Sequence, residues 1–156
     1  MSQNIEQKLE NLNITLPTPA APVANYVAFV KTGNLVSISG QVPMGPDGKP
    51  AYLGKVGEEV SVEEAVQAAR ICAINIIAQL KAACEGDLDR VVRIVKLGAF
   101  VNCTDGFAGQ PTIVNGASDL MVEVFGEKGK HSRSAVGTNA LPLNVPVEID
   151  ALVEIA

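Results

Sequence analysis

The chain has 156 residues, a formal net charge of −5 and 47% hydrophobic residues, which together describe one globular domain long enough to bury a core. No uncharged apolar run approaches the roughly 20 residues of a membrane span, and the N-terminus lacks the basic-then-apolar pattern of a signal peptide, so a cytoplasmic protein is expected. The acidic balance gives no global field for nucleic acid, aromatic residues at 4% without tryptophan leave few stacking platforms, and three cysteines without CxxC spacing beside one histidine form no recognisable zinc site.

Ile5, Leu9 and Leu12 recur at helical spacing and predict a short amphipathic helix over 4–13. The run Leu16-Pro17-Thr18-Pro19-Ala20-Ala21-Pro22 breaks regular structure and reads as a tether, so residues 1–22 are expected to precede a domain over 23–156. Tyr26–Val30 and Leu35–Ser39 flank the turn-forming Lys31-Thr32-Gly33-Asn34 and predict a β-hairpin. Residues 43–60, opened by the turn Gly45-Pro46-Asp47-Gly48, read as a loop with at most a short strand.

Ser61-Val62-Glu63-Glu64 has the form of a capping box. Behind it Val62, Val66, Ala69, Ala73, Ile76 and Leu80 trace one apolar helix face, and Gly86 marks its end. Val91–Val101 is a β-branched run that is largely apolar on both faces: Val91, Val95, Leu97, Ala99 and Val101 on one side, Val92, Ile94 and Phe100 on the other, with Lys96 the exception. Two long helices can cover only one face of a sheet, so a neighbouring subunit is the economical cover for the second. The other long helix is expected from Pro111 to Phe125, with Ile113, Ala117, Leu120, Met121 and Val124 inward. Strands at 134–138 and 145–155 complete the sheet, the last alternating Val147, Ile149, Ala151, Val153 and Ile155 against Glu148, Asp150, Leu152 and Glu154. The order ββ, α, β, α, ββ predicts an α+β layer, one sheet with two helices on one side.

The chain has no Walker loop, no GxGxxG and no GxSxG elbow. His131, in a Gly/Lys-rich loop, reads as a solvated residue. Arg133 at the start of a strand is a ready receptor for a carboxylate or phosphate, because its planar fork offers two parallel charged hydrogen bonds. It could equally pair with Glu148 or Asp150 across neighbouring strands. Cys72 lies near the apolar face of its helix and reads as packing, and Cys84 and Cys103 have no visible activator.

Tyr26-Val27, Gly33-Asn34-Leu35-Val36-Ser37-Ile38-Ser39-Gly40-Gln41-Val42-Pro43, Val114-Asn115, Ser132-Arg133-Ser134-Ala135-Val136, Leu141-Pro142 and Val147-Glu148-Ile149-Asp150-Ala151 occur in the order of a known pattern. From about Tyr26 to the C-terminus the chain resembles the YjgF / reactive intermediate deaminase (Rid) family, also labelled endoribonuclease L-PSP-like. The resemblance implies a chorismate-mutase-like α+β fold and a homotrimer with three clefts between subunits. It also implies hydrolysis of enamine and imine intermediates such as 2-aminoacrylate to 2-oxo acids and ammonium, with no metal or organic cofactor. By motif, Arg133 is similar to the family's carboxylate-binding arginine and Glu148 to its water-handling acid. Tyr26, Ser39 and Asn115 fall at the positions of its pocket-lining polar residues. Ala135 stands where many members have cysteine, and His131-Ser132 replaces the common Pro-Ala. Residues 1–22, 104–112 and 126–131 are longer than the compact family pattern, which points to a divergent branch with its own substrate preference. A non-catalytic protein that binds small carboxylates and, against the acidic charge, a ribonuclease are the rival readings.

Overall fold

The computed structural model describes residues 4–19, 21–22 and 24–156. Ala20 of the expected tether and Val23, the expected domain start, lie outside the described residues, as do Met1–Gln3. The elements in chain order are α1 (Ile5–Asn11), β1 (Phe29–Thr32), β2 (Leu35–Gln41), α2 (Val62–Ala83), β3 (Val91–Asn102), α3 (Gln110–Phe125), β4 (Ser132–Thr138) and β5 (Val147–Ile155). The strands form one sheet in the order β1-β2-β5-β3-β4. Only β3 and β4 run parallel, as the α3 crossover between them requires.

Local signals place most of these elements. Gly33 takes φ +58°, and lets the hairpin turn where an L side chain would be strained. The Ser61 hydroxyl accepts the Glu64 N–H at 3.1 Å, the N-cap half of the expected box. Pro111 lies in the first turn of α3, which begins one residue earlier than expected. Tyr26 falls outside the hairpin: β1 starts at Phe29, and residues 26–28 are held to β2 by the Ser39 N–H donating to Ala28 O at 2.9 Å.

Both long helices lie on one face of the sheet, and α2 packs against α3 as well as against β2 and β5. That double contact is why α2 buries Ala65, Ala68, Cys72 and Gln79 beyond the single stripe expected from its sequence. Val36, Ile38, Leu97, Ala99, Val101, Val147, Ile149 and Val153 supply the sheet side of the core. α1 adds Ile5 and Leu9 to the same core. In β3 the expected faces need two corrections: Val95, which falls at the second register shift, is not part of the core, and Ile94 is. Register shifts between Val91 and Arg93 and between Ile94 and Lys96 turn Ile94 into the core with Leu97, away from Phe100. No helix layer among the described residues covers the opposite face of the sheet, where Val30, Phe100 and Val136 are 51%, 39% and 46% exposed. No helix of the described residues is long and apolar enough to cross a membrane.

The helix layer depends on Gly116, where a Cβ would stand 2.2 Å from the carbonyl oxygen of Val66 on α2. Gly116→Ala is therefore expected to wedge α2 from α3 and destabilise the fold by about 1–3 kcal/mol, read as a lower midpoint in urea unfolding. An unchanged midpoint would mean that the helices are not in such close contact.

Candidate functional site

Arg133 opens β4 at one edge of the sheet. Its register partner on β3 is Leu97, itself opposite Ala151 on β5, so the side chain belongs to the helix-covered face. There the guanidinium is held by α3. Nη1 donates to Asn115 Oδ1 at 2.9 Å and to Ser118 Oγ at 3.0 Å, and Nη2 donates to the Pro111 carbonyl at 3.2 Å. Asn115 and Ser118 sit three residues apart on one side of the helix, the spacing that lets both reach a single group. All three acceptors are neutral. Among the described residues Arg133 makes no ion pair, which overturns the expectation that Glu148 or Asp150 could neutralise it. Nε–H and one Nη2–H are left for a two-point contact with an anion.

Glu148 lies elsewhere. It is paired with Phe100 on β3, one residue out of phase with the Arg133 row, and so projects from the uncovered face. It lines a cleft of about 790 Å³ together with Tyr26, Ser39, Gln41, Leu143 and Asp150. Thus the structure gathers Tyr26, Ser39 and Glu148 on one side and Arg133 with Asn115 on the other. A single chain does not bring the two groups together. The lining of the cleft carries two carboxylates and no Lys, Arg or His among the described residues.

The cleft is built closely around its acids. A Cβ on Gly40 would stand 2.4 Å from Glu148 Oε1, and one on Gly98 would stand 2.6 Å from Asp150 Oδ1, so each carboxylate occupies space that a glycine leaves open. Burial, and then the neighbouring Asp150 charge, holds the Glu148 carboxyl above its ordinary range. Burial also raises Asp150, against the lowering effects of a Gly98 backbone hydrogen bond and of Lys96. Ser39 Oγ donates to Val27 O at 2.7 Å and so ties the Tyr26 segment to β2. On α2, Asn75 Nδ2 donates to Val42 O at 3.0 Å and Met44 O at 3.3 Å, which fixes one wall of the cleft.

Several of these residues were not singled out from sequence. Asp150 could have been found, since two residues along a strand share a face. Gly98 inside a strand pattern signals a close approach. Ser118 had only its spacing from Asn115 to mark it. His131, read as solvated, is bonded at both ring nitrogens: Nε2 lies 2.8 Å from Ser118 Oγ and Nδ1 lies 2.6 Å from Gly129 O. Burial pushes the Cys72 thiol well up and raises Cys84, so neither is a ready thiolate. Ala135 is half-buried on the Arg133 side and leaves no thiol there.

The sequence profile of a family described as "YjgF/chorismate mutase-like, putative endoribonuclease" matches residues 6–155. Protein TCP17 of Trypanosoma cruzi is 46% identical over 155 residues, covering 99% of this chain and 96% of its own. A 2-iminobutanoate/2-iminopropanoate deaminase of Dermatophagoides farinae is 30% identical over 142 residues, covering 91% and 94%. Among solved structures, the protein Atu1372 of Agrobacterium tumefaciens, of unknown function, is 49% identical with a TM-score of 0.91, covering 97% of this chain and 92% of its own.

The raised carboxyls make stability depend on pH in a definite direction. Each binds its proton more tightly in the folded chain, so its contribution is fully present below the ordinary carboxylate range and is lost as pH rises through the raised folded value. Glu148→Gln and Asp150→Asn are expected to raise Tm at pH 7, and the advantage should vanish in acid. Thermal melts across about pH 4–8 read this. Variants less stable than the wild type at neutral pH would mean that the carboxylates have stabilising partners.

Proposed function

The chain belongs to the YjgF/chorismate mutase-like family, and from that premise we propose that it is an enamine/imine deaminase working in clefts between the copies of a homotrimer. A 2-imino acid and water would give a 2-oxo acid and ammonia. Water adds to the imine carbon while one of its protons passes to nitrogen. The hydroxyl proton of the resulting carbinolamine then follows, and the C–N bond breaks as C=O forms, releasing ammonia that is protonated to ammonium in solution. The observation that carries the reading is the guanidinium of Arg133, held by three neutral acceptors and by no acid. Such a group is a receptor for the carboxylate that every 2-imino acid carries. Glu148, held above the ordinary carboxylate range in a desolvated cleft, is suited to take a proton from water and return it to nitrogen.

The placement of the two groups supports assembly. Within one chain they lie on opposite faces of the sheet, so a carboxylate held by Arg133 meets Glu148 only if the acid comes from another copy. The uncovered apolar face around Phe100 and Val136 offers the surface on which copies would pack. The likeness to the 2-iminobutanoate/2-iminopropanoate deaminase points to the same chemistry. An imine carbon beside a carboxylate is already electrophilic, so neither a nucleophile nor a metal is required. Orientation by the arginine fork and a positioned proton carrier suffice. A cleft with two acids and no cation disfavours the phosphates of RNA.

The test generates 2-imino acids with an amino-acid oxidase in the presence of semicarbazide, which traps whatever the protein does not hydrolyse. Wild type is expected to suppress the trapped product. Arg133→Lys keeps the charge but loses the fork, and should lower kcat/KM by about 10–100-fold. Glu148→Gln should lower kcat by about 10²–10⁴-fold. Binding of a 2-oxo acid without any turnover would instead favour a carboxylate-binding role for the same cleft, and a monomer in sedimentation would remove the shared site.

A further inference from the structure

The hydrogen bonds behind Arg133 have a fixed direction. Gly129 O can only accept, so His131 Nδ1, 2.6 Å away, must donate to it. In the neutral ring this leaves Nε2 as a bare acceptor. The Ser118 hydroxyl, 2.8 Å from Nε2, therefore donates its proton there and turns its oxygen lone pairs outward. Arg133 Nη1 donates to that oxygen at 3.0 Å. The sequence of donors runs one way, from guanidinium to serine to imidazole to backbone carbonyl.

The far end of this chain is anchored. Gly129 is pressed against α3 so closely that a Cβ would stand 2.1 Å from Met121 O. The adjacent Lys130 carbonyl accepts from Arg93 Nε at 3.2 Å and Nη2 at 2.9 Å, and Lys128 Nζ donates to Val91 O at 3.1 Å. The loop that carries His131 is thus tied to β3 on one side and to α3 on the other. An exposed strand arginine has several rotamers of similar energy. One whose acceptors cannot turn is oriented before its ligand arrives, and a serine already donating to imidazole is a stronger acceptor for the guanidinium.

We infer that His131 is a positioning residue which, through Ser118, locks the Arg133 fork in the orientation that receives the substrate carboxylate. The inference rests on Arg133 being the carboxylate anchor of the proposed reaction. It assigns a task to the two residues, His131 and Ser118, that the proposed chemistry does not itself use. Asn115 and the Pro111 carbonyl still hold one hydrogen on each Nη, so loss of His131 loosens the fork without releasing it. The effect belongs mainly in KM, because the carboxylate is gripped in the ground state and in the transition state alike.

Two measurements test it. His131 is the sole histidine of the chain, so ¹⁵N-histidine labelling reports this ring alone. The neutral ring is expected to carry its proton on Nδ1, and addition of 2-oxobutanoate should shift its signals in the wild type but not in Ser118→Ala. A proton on Nε2, or signals that ignore 2-oxobutanoate, overturns the inference. In the imine assay, His131→Ala should raise KM about tenfold with a smaller change in kcat. His131→Gln, whose amide oxygen can accept from Ser118, should recover most of the loss. Wild-type constants for His131→Ala beside an inactive Arg133→Ala would overturn the relay alone. Wild-type constants for both variants would overturn the anchor as well. If His131→Ala fails to fold, the labelled wild type and His131→Gln still decide the matter.

Discussion

Alternation along the strands governs where chemistry can happen in this molecule. With both long helices on one side of the sheet, alternate residues of β4, β5 and the stretch of β3 from Leu97 onward meet different surroundings: a packed apolar layer, or a face without helices. Arg133 falls in the row of Leu97 and Ala151, and Glu148 falls in the row of Phe100 and Val136. A shift of one residue in either strand would put both on the same side and allow them to neutralise one another. The register instead leaves a cation at one edge and a pair of acids on the other face, none of the three in an ion pair among the described residues, although the Lys96 charge is felt at Asp150. The same alternation leaves Phe100 and Val136 exposed beside the acids, so the exposed apolar area and the two carboxylates are parts of one surface.

The sheet also shows how two carboxylates are accommodated side by side. Glu148 and Asp150 stand two residues apart on one strand, where like charges repel. Gly40 and Gly98 give them room without giving them full access to water, and the result is a raised carboxyl at both positions. A larger residue at either glycine would push the acid outward into solvent and return it toward ordinary behaviour. Gly40 therefore acts on the chemistry of the cleft through the space it leaves, and Gly98 through both that space and its backbone hydrogen bond to Asp150.

Most of the architecture was legible in the sequence because its signals are local. The Ser61 cap, Pro111 at the start of α3 and the alternation of β5 each place an element from a few neighbouring residues. What was not legible depends on distant partners. The bulges of β3 arise from its pairing with β5, so the inward turn of Ile94 has no mark in its own neighbourhood. His131 looks like any loop histidine until α3 brings Ser118 to its ring. Arg133 stood out by its residue type and its place on a strand, whereas Tyr26, Ser39, Asn115 and Glu148 came as site residues from motif resemblance. Pattern alone would have left Glu148 a solvated strand residue and Asn115 a polar residue near a helix start. Their division between two faces could not be read from either source before the strand order was known.

That division also bears on which ligands suit the proposed cleft. If a second copy brings Arg133 to Glu148 and Asp150, the completed site presents a forked cation at one end and two partly desolvated acids at the other. A 2-imino acid protonated on nitrogen is a zwitterion with the matching arrangement, its carboxylate next to a carbon that bears the positive nitrogen. Both of its charges are then met, and the positive end lies beside the groups that must handle water and protons. A 2-oxo acid product keeps the carboxylate but has lost the cation, so it faces two acids with nothing to offset them. Its hold weakens as the reaction completes, which favours release. A polyanion such as RNA fares worse still, because it can satisfy the arginine only by bringing further negative charge against the carboxylates. In the proposed cleft such a distribution of charge would select a small zwitterion by attraction at one end and by repulsion of its competitors at the other.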